Sequence, residues 1–184
     1  GPGLWTGGQG GCEQLYPVVC LGRTRTAALE MPATAGKRIW VTDTTFVPGS
    51  MTPDAKCVQE RPAGVTQARA LLAYTGRTAA ELLDPEANYV RPDGQLVGTG
   101  AQIAAQQLLT GPWVTASNQS STFATWAGAA TLTTPGTVES TCNDWASRSG
   151  TSPTGISNSV MGFWSRFEDS CDSPRDLALY CIEP

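Results

Sequence analysis

Six cysteines and no histidine constrain this 184-residue chain more than any other feature. The cysteines are Cys12, Cys20, Cys57, Cys142, Cys171 and Cys181, and none lies in a C-x-x-C pair. Structural zinc draws on closely spaced thiolates or imidazoles, so zinc is poorly served here. An even, scattered set reads instead as disulfides formed in an oxidising compartment. That reading puts the chain in an extracellular, cell-surface or periplasmic setting. Six cysteines allow many pairings, and spacing alone does not choose among them. A local Cys12–Cys20 bridge would pin the short apolar run at residues 15–19.

Composition narrows the classes further. The charged fraction is 15 %, against about 25 % for ordinary soluble domains. With 20 Gly, 13 Pro and abundant Ser and Thr, much of the chain is expected in turns and long loops. Net charge is −4, and Lys37 and Lys56 are the only lysines. No basic stripe exists to neutralise phosphates, which argues against nucleic acid and anionic membrane surfaces as partners. No apolar run approaches the roughly 18 residues that a membrane span needs. The chain opens Gly1-Pro2-Gly3-Leu4, which reads as a mature or excised piece.

Residues 1–36 read as a flexible extension carrying the local bridge, and residues 37–184 as the folded domain. Organised structure is expected to begin with the β-type run at residues 38–42. Thr52-Pro53-Asp54 is a helix start: a hydroxyl cap, proline in the first turn and an acid at the positive end of the dipole. Residues 68–74 are apolar enough for a buried strand. Thr78 and Glu81 fit a capping box that opens a second short helix through Leu83. Asp93-Gly94 suits a tight turn between arms 89–92 and 95–97. Residues 103–109 read as another helical turn and residues 123–132 as a strand around Trp126. Residues 133–170 read mostly as loop, and residues 177–182 as a terminal strand. Irregular order with more strands than helices indicates α+β.

A series of segments opens with Arg38-Ile39-Trp40-Val41-Thr42, the helix bearing Cys57, and Ala70-Leu71-Leu72-Ala73. It continues through Tyr89-Val90-Arg91-Pro92-Asp93-Gly94, Trp126-Ala127-Gly128-Ala129, Thr141-Cys142-Asn143-Asp144-Trp145 and Leu179-Tyr180-Cys181-Ile182-Glu183. In this order the series resembles a bacterial exported domain family of uncharacterised function, similar to endostatin and the C-type-lectin-like fold. The resemblance implies a C-type-lectin-like α+β domain with Cys57 paired to Cys181 and Cys142 to Cys171, leaving Cys12 for Cys20. It does not carry over calcium-dependent sugar binding or zinc: the Glu-Pro-Asn and Gln-Pro-Asp tripeptides are absent, and so are histidines.

Asn143, Asp144, Glu168 and Asp169 flank the inner cysteine pair and offer the hard oxygens that calcium selects, so they form a candidate calcium site. The same residues equally suit turn capping. Trp145, Trp164, Phe163 and Phe167 would make a platform for a ligand or a small core beneath the long loop, and core is the expectation for both tryptophans. Trp113, between Pro112 and Val114, is expected to be partly exposed and is grouped with the four oxygen-bearing residues as a ligand-binding candidate. Asn118-Gln119-Ser120 matches a glycosylation acceptor of a kind that arises often by chance. Nucleophilic catalysis lacks its usual base anywhere in the chain, and no phosphate-binding loop follows a strand. The expectation is a non-catalytic recognition module for a glycan or a surface protein. A structural module of a larger envelope assembly is the alternative. A hydrolase would need a deep cleft with two carboxylates about 5–9 Å apart.

Overall fold

The computed structural model describes residues 33–175 and 177–184. The expected Cys12–Cys20 bridge and most of the 1–36 extension lie outside the described residues. The described unit runs Ala33–Pro184, and its first residues are tied to the 89–97 hairpin by the Thr34 amide, which donates to Gly94 O at 3.0 Å.

The fold is α+β, with two sheets and two short helices. In chain order come β1 (Lys37–Val41), α1 (Pro53–Gln59), β2 (Arg69–Ala70), a 3-10 turn (Ala79–Leu82), β3 (Asn88–Val90), β4 (Leu96–Thr99) and α2 (Gly100–Ala104). Then follow β5 (Ala124–Trp126), β6 (Thr151–Ile156), β7 (Phe167–Ser170), β8 (Leu177–Ala178) and β9 (Tyr180–Ile182). The first sheet has the order β2-β9-β1-β3-β4 and the second β7-β6-β5-β8. The last segment of the chain serves both. β8 lies parallel to β5 in the second sheet, and β9 runs antiparallel between β1 and β2 in the first.

This double service explains the unbroken apolar run at the C-terminus. Alternate side chains of β1 and β9 enter opposite cores. Ile39, Val41, Tyr180 and Ile182 join Leu71, Tyr89, Ile103, Phe163 and Trp164. Trp40, Leu179 and Cys181 join Phe46, Cys57, Leu72, Trp126 and Trp145. Strands buried on both faces lose the polar alternation of a surface strand.

Loops are fixed to this frame by indole N–H groups. Trp40 donates to Glu60 O at 2.7 Å, Trp126 to Phe46 O at 3.0 Å, Trp145 to Ala73 O at 3.1 Å and Trp164 to Ala129 O at 3.0 Å. Each indole buries a large apolar surface and satisfies a loop carbonyl, buried in all but the Trp40 bond. Around α1, Lys56 pairs with Glu60 at 2.6 Å, and Glu60 also accepts from the Thr44 amide at 3.2 Å.

Several elements are shorter than their sequence patterns predict. Of residues 68–74, only Arg69–Ala70 pair as a strand, because the chain then bridges the sheets: Leu71 N donates to Tyr180 O at 2.8 Å and Ala73 N to Ala127 O at 3.0 Å. The helix expected at residues 103–109 starts earlier, at Gly100, because Thr99 and Gln102 form a capping box. The 123–132 strand stops at Trp126, just before Gly128 with φ +84°. A Cβ at Gly128 would sit 2.8 Å from the Trp145 ring and 2.9 Å from Ala73 O. The loop expected at residues 133–170 contains the β6–β7 hairpin. Its inward positions include Ser152, Thr154 and Asp169, with Thr154 Oγ1 donating to Asp169 at 3.0 Å. A strand pair whose interior is partly polar gives no apolar alternation to read.

Two disulfides close the frame, Cys57–Cys181 and Cys142–Cys171. The first spans 124 residues and joins α1 to β9. Loop-closure entropy gives such a bridge about 5 kcal/mol. The Cys57→Ser/Cys181→Ser variant is therefore expected to lose about 5 kcal/mol, a third or more of the roughly 5–15 kcal/mol that holds a domain folded. Urea unfolding at neutral pH reads that loss directly.

Candidate functional site

The most distinctive local structure lies at the inner disulfide. Cys142, Asn143, Asp144 and Trp145 have φ values of 53°, 54°, 52° and 68°, so four successive non-glycine residues occupy the left-handed region. Such a residue costs about 1–2 kcal/mol, less for Asn and Asp. The turn persists because its surroundings over-determine it. Cys142 is bonded to Cys171. The Trp145 indole is buried edge-on against Trp126, with centroids 5.9 Å apart, and donates to Ala73 O. Trp145 N donates to Thr141 O at 2.7 Å and Ser147 N to Cys142 O at 3.0 Å. Trp145 O accepts from Gly49 N at 2.8 Å.

The turn carries the Asp144 carboxylate to a second loop. Asp144 Oδ1 accepts from the Thr75 amide at 2.7 Å and the Thr141 hydroxyl at 3.4 Å. Thr75 and Gly76 form a two-residue turn in which Tyr74 and Arg77 exchange both backbone bonds, at 3.1 and 2.9 Å. Gly76, at φ +71°, supplies the conformation such a turn needs. Tyr74 and Arg77 therefore stand side by side, with the Arg77 guanidinium 5.8 Å from the Tyr74 ring centre. Opposite them, Asp54 in the first turn of α1 accepts from the Ala70 amide at 2.9 Å.

Together these residues line a half-open cleft of about 320 Å³: Asp54, Arg69, Tyr74, Arg77 and Asp144, floored by Thr52, Pro53, Ala70 and Leu82. Two acids and two arginines balance. Burial pushes the Tyr74 phenol up to about 12, reinforced by the Asp54 and Asp144 charges and opposed by Arg77 and Arg69, so it keeps its proton and can donate. One oxygen of each aspartate is held by backbone N–H, and the other has no protein partner among the described residues. The cleft thus offers free acceptors, guanidinium donors, a protonated hydroxyl and a ring. A second chamber of about 260 Å³ adjoins it and shares Thr52, Pro53 and Asp144; its other walls are Gly49, Met51, Trp145 and Ala146. The wider hollow over residues 58–66 holds one charged residue, Arg61, whose guanidinium already donates to Val58 O at 2.7 Å.

Of the sequence-predicted residues, Asp144 alone lines this cleft. Asn143 is its exposed neighbour on the left-handed turn. Asp169 is buried against Thr154 and pairs with Arg175 at 3.3 Å, while Glu168 is exposed on β7. Among the described residues, no three His, Cys, Asp or Glu side chains converge as a metal site requires. Trp113 is half-buried, with the Arg91 guanidinium 4.5 Å from its ring centre and the Gly111 backbone against the same ring. Arg91 itself pairs with Asp93 at 2.6 Å. Trp145, Trp164 and Phe163 are core residues, whereas Phe167 is half-exposed.

Asp54, Arg69, Tyr74 and Arg77 were not singled out from the sequence. The Thr75-Gly76 turn signal was present, but Tyr74 reads as the end of a buried run and Asp54 as a helix acid. No known protein-family model matches the chain, and no curated protein matches it significantly. Among the described residues, no helix is long and apolar enough to cross a membrane.

Two measurements probe this geometry. Tyr74 holds its proton to about pH 12 when folded, against 10.0 when unfolded. Its stabilising contribution is therefore complete below pH 10 and is lost as pH rises through 12. Phenolate absorbance should show its titration midpoint falling in Asp54→Asn, and falling less in Asp144→Asn. On the turn, Asn143→Gly is expected to stabilise the fold by about 0.5 kcal/mol and Asn143→Val to destabilise it by about 1–2 kcal/mol, read by urea unfolding.

Proposed function

We propose that this chain is a non-catalytic recognition module of C-type-lectin-like architecture, working outside the cytoplasm, which binds a glycan in the Asp54–Tyr74–Asp144 cleft. The architecture is supported by the covalent tie from first helix to last strand and by the inner disulfide closing the long loop region. The two disulfides also favour an oxidising compartment.

The observation that carries the function is the charge balance of a rigid cleft. A cationic ligand meets Arg69 and Arg77, and an anionic one meets Asp54 and Asp144. A neutral polyhydroxyl ring avoids both conflicts, since each hydroxyl donates to a carboxylate and accepts from a guanidinium. The Tyr74 ring and hydroxyl add an apolar face with a polar tip, a common arrangement in concave ligand sites. Binding here needs no metal, consistent with the missing calcium-lectin tripeptides. The chain has no histidine, the usual base for a serine or cysteine nucleophile, which favours binding over turnover.

A glycan array probed with the wild-type protein and with Tyr74→Ala and Asp144→Asn tests this reading. Wild-type protein should bind a restricted set of glycans, and both variants should lose at least about tenfold in affinity. Silence across the array would overturn the glycan reading and favour a structural role in a larger envelope assembly.

A further inference from the structure

The second chamber narrows the ligand class, and this inference rests on the glycan reading above. Asp144 and the Thr52-Pro53 step form the divide between the two chambers. On one side stand the carboxylates, guanidiniums and phenol. On the other are Met51, Pro53, Trp145, Gly49 and Ala146, with Asp144 as the only charged lining residue. Gly49 brings its loop close to the left-handed turn: its N–H reaches Trp145 O, and a Cβ there would lie 3.1 Å from Ala146 O. The chamber is therefore a shaped recess of the same rigid turn that positions Asp144.

A ligand filling both chambers needs hydroxyls on one side, a hydrogen-bond donor at the divide and a small apolar group beyond it. We propose that the cleft selects sugars bearing an acetamido group. The ring hydroxyls occupy the charged chamber, the acetamido N–H donates to the free oxygen of Asp144, and the methyl packs on Met51 and Pro53. An amide donating to a carboxylate makes a charge-assisted bond, and the methyl gains about what one buried carbon is worth. Together these predict a preference of about tenfold over the same sugar with a plain hydroxyl in that place.

The test is calorimetric titration with two trisaccharides of identical β-1,4-linked backbone, one N-acetylglucosamine-based and one glucose-based. The acetylated trisaccharide should bind about tenfold more tightly. Met51 is 42 % exposed, so Met51→Asp leaves the core intact. It should bring the affinities for the two trisaccharides to within about twofold of each other, whatever its effect on either alone. Equal affinities for wild-type protein, or a preference that survives Met51→Asp, would overturn the acetamido assignment but leave the glycan cleft standing. Binding of neither trisaccharide, alongside a silent array, would remove both.

Discussion

The crossing of the terminal segment from one sheet to the other holds the remaining structure in place. Leu179 stands at the crossing, and Thr42 captures both of its backbone groups. The Leu179 amide donates to Thr42 Oγ1 at 3.1 Å, and the Thr42 amide donates to Leu179 O at 3.0 Å. A strand that leaves one sheet for another exposes unpaired polar groups at the switch, and burying them unsatisfied costs 1–3 kcal/mol each. One threonine removes that cost. Cys181, two residues on, ties the crossing to α1, so the helix and the terminal segment share one covalent node.

From that node the candidate site follows. α1 places Asp54 over β2, where it takes the Ala70 amide, and residues 71–73 bridge directly to the turn that presents Tyr74. The left-handed turn closes the cleft from the other side. Its conformational cost is on the order of several kcal/mol, offset by burial of Trp145 and by the Cys142–Cys171 crosslink. Strain of this kind survives where the surroundings leave no alternative, and such places are often functional. What it yields is a carboxylate fixed by the Thr75 amide and the Thr141 hydroxyl instead of one swinging on a mobile loop.

Legibility in the sequence tracked the length scale of the signal. The capped start of α1 at Thr52, the boxed turn at Thr78 and the Asp93-Gly94 hairpin were readable because each depends on residues within four positions. The core roles of Trp145 and Trp164 were readable from size and setting. The β6–β7 hairpin was not, since Thr154 donates to Asp169 and Ser152 to Pro153 O inside it, and these polar residues mimic a loop. The left-handed turn was equally hidden. Cys-Asn-Asp-Trp carries no glycine, and contacts distant in sequence, to residues 49, 73, 75, 126 and 171, hold it. The cleft draws on residues from 52 to 144, a convergence that no local pattern encodes.

Stiffness links the crosslinks to the recognition chemistry. A ligand that must order loops as it binds loses affinity to the entropy of ordering, and side chains immobilised at the interface cost about 0.5–1.5 kcal/mol each. Here the acceptors are ordered beforehand: Asp144 by Thr75 and the turn, Asp54 by Ala70, and Tyr74 by its paired turn. Small hydroxylated ligands bring little apolar surface and compete with water for every hydrogen bond, so they gain most from donors and acceptors already in place. A loop-rich chain with 33 Gly and Pro residues, from 20 and 13, would not achieve this through propensity alone. The indole bonds, the Thr42 bridge and the two disulfides convert irregular backbone into a fixed wall. In the cleft that fixed wall presents acceptors held in place by Thr75 and Ala70.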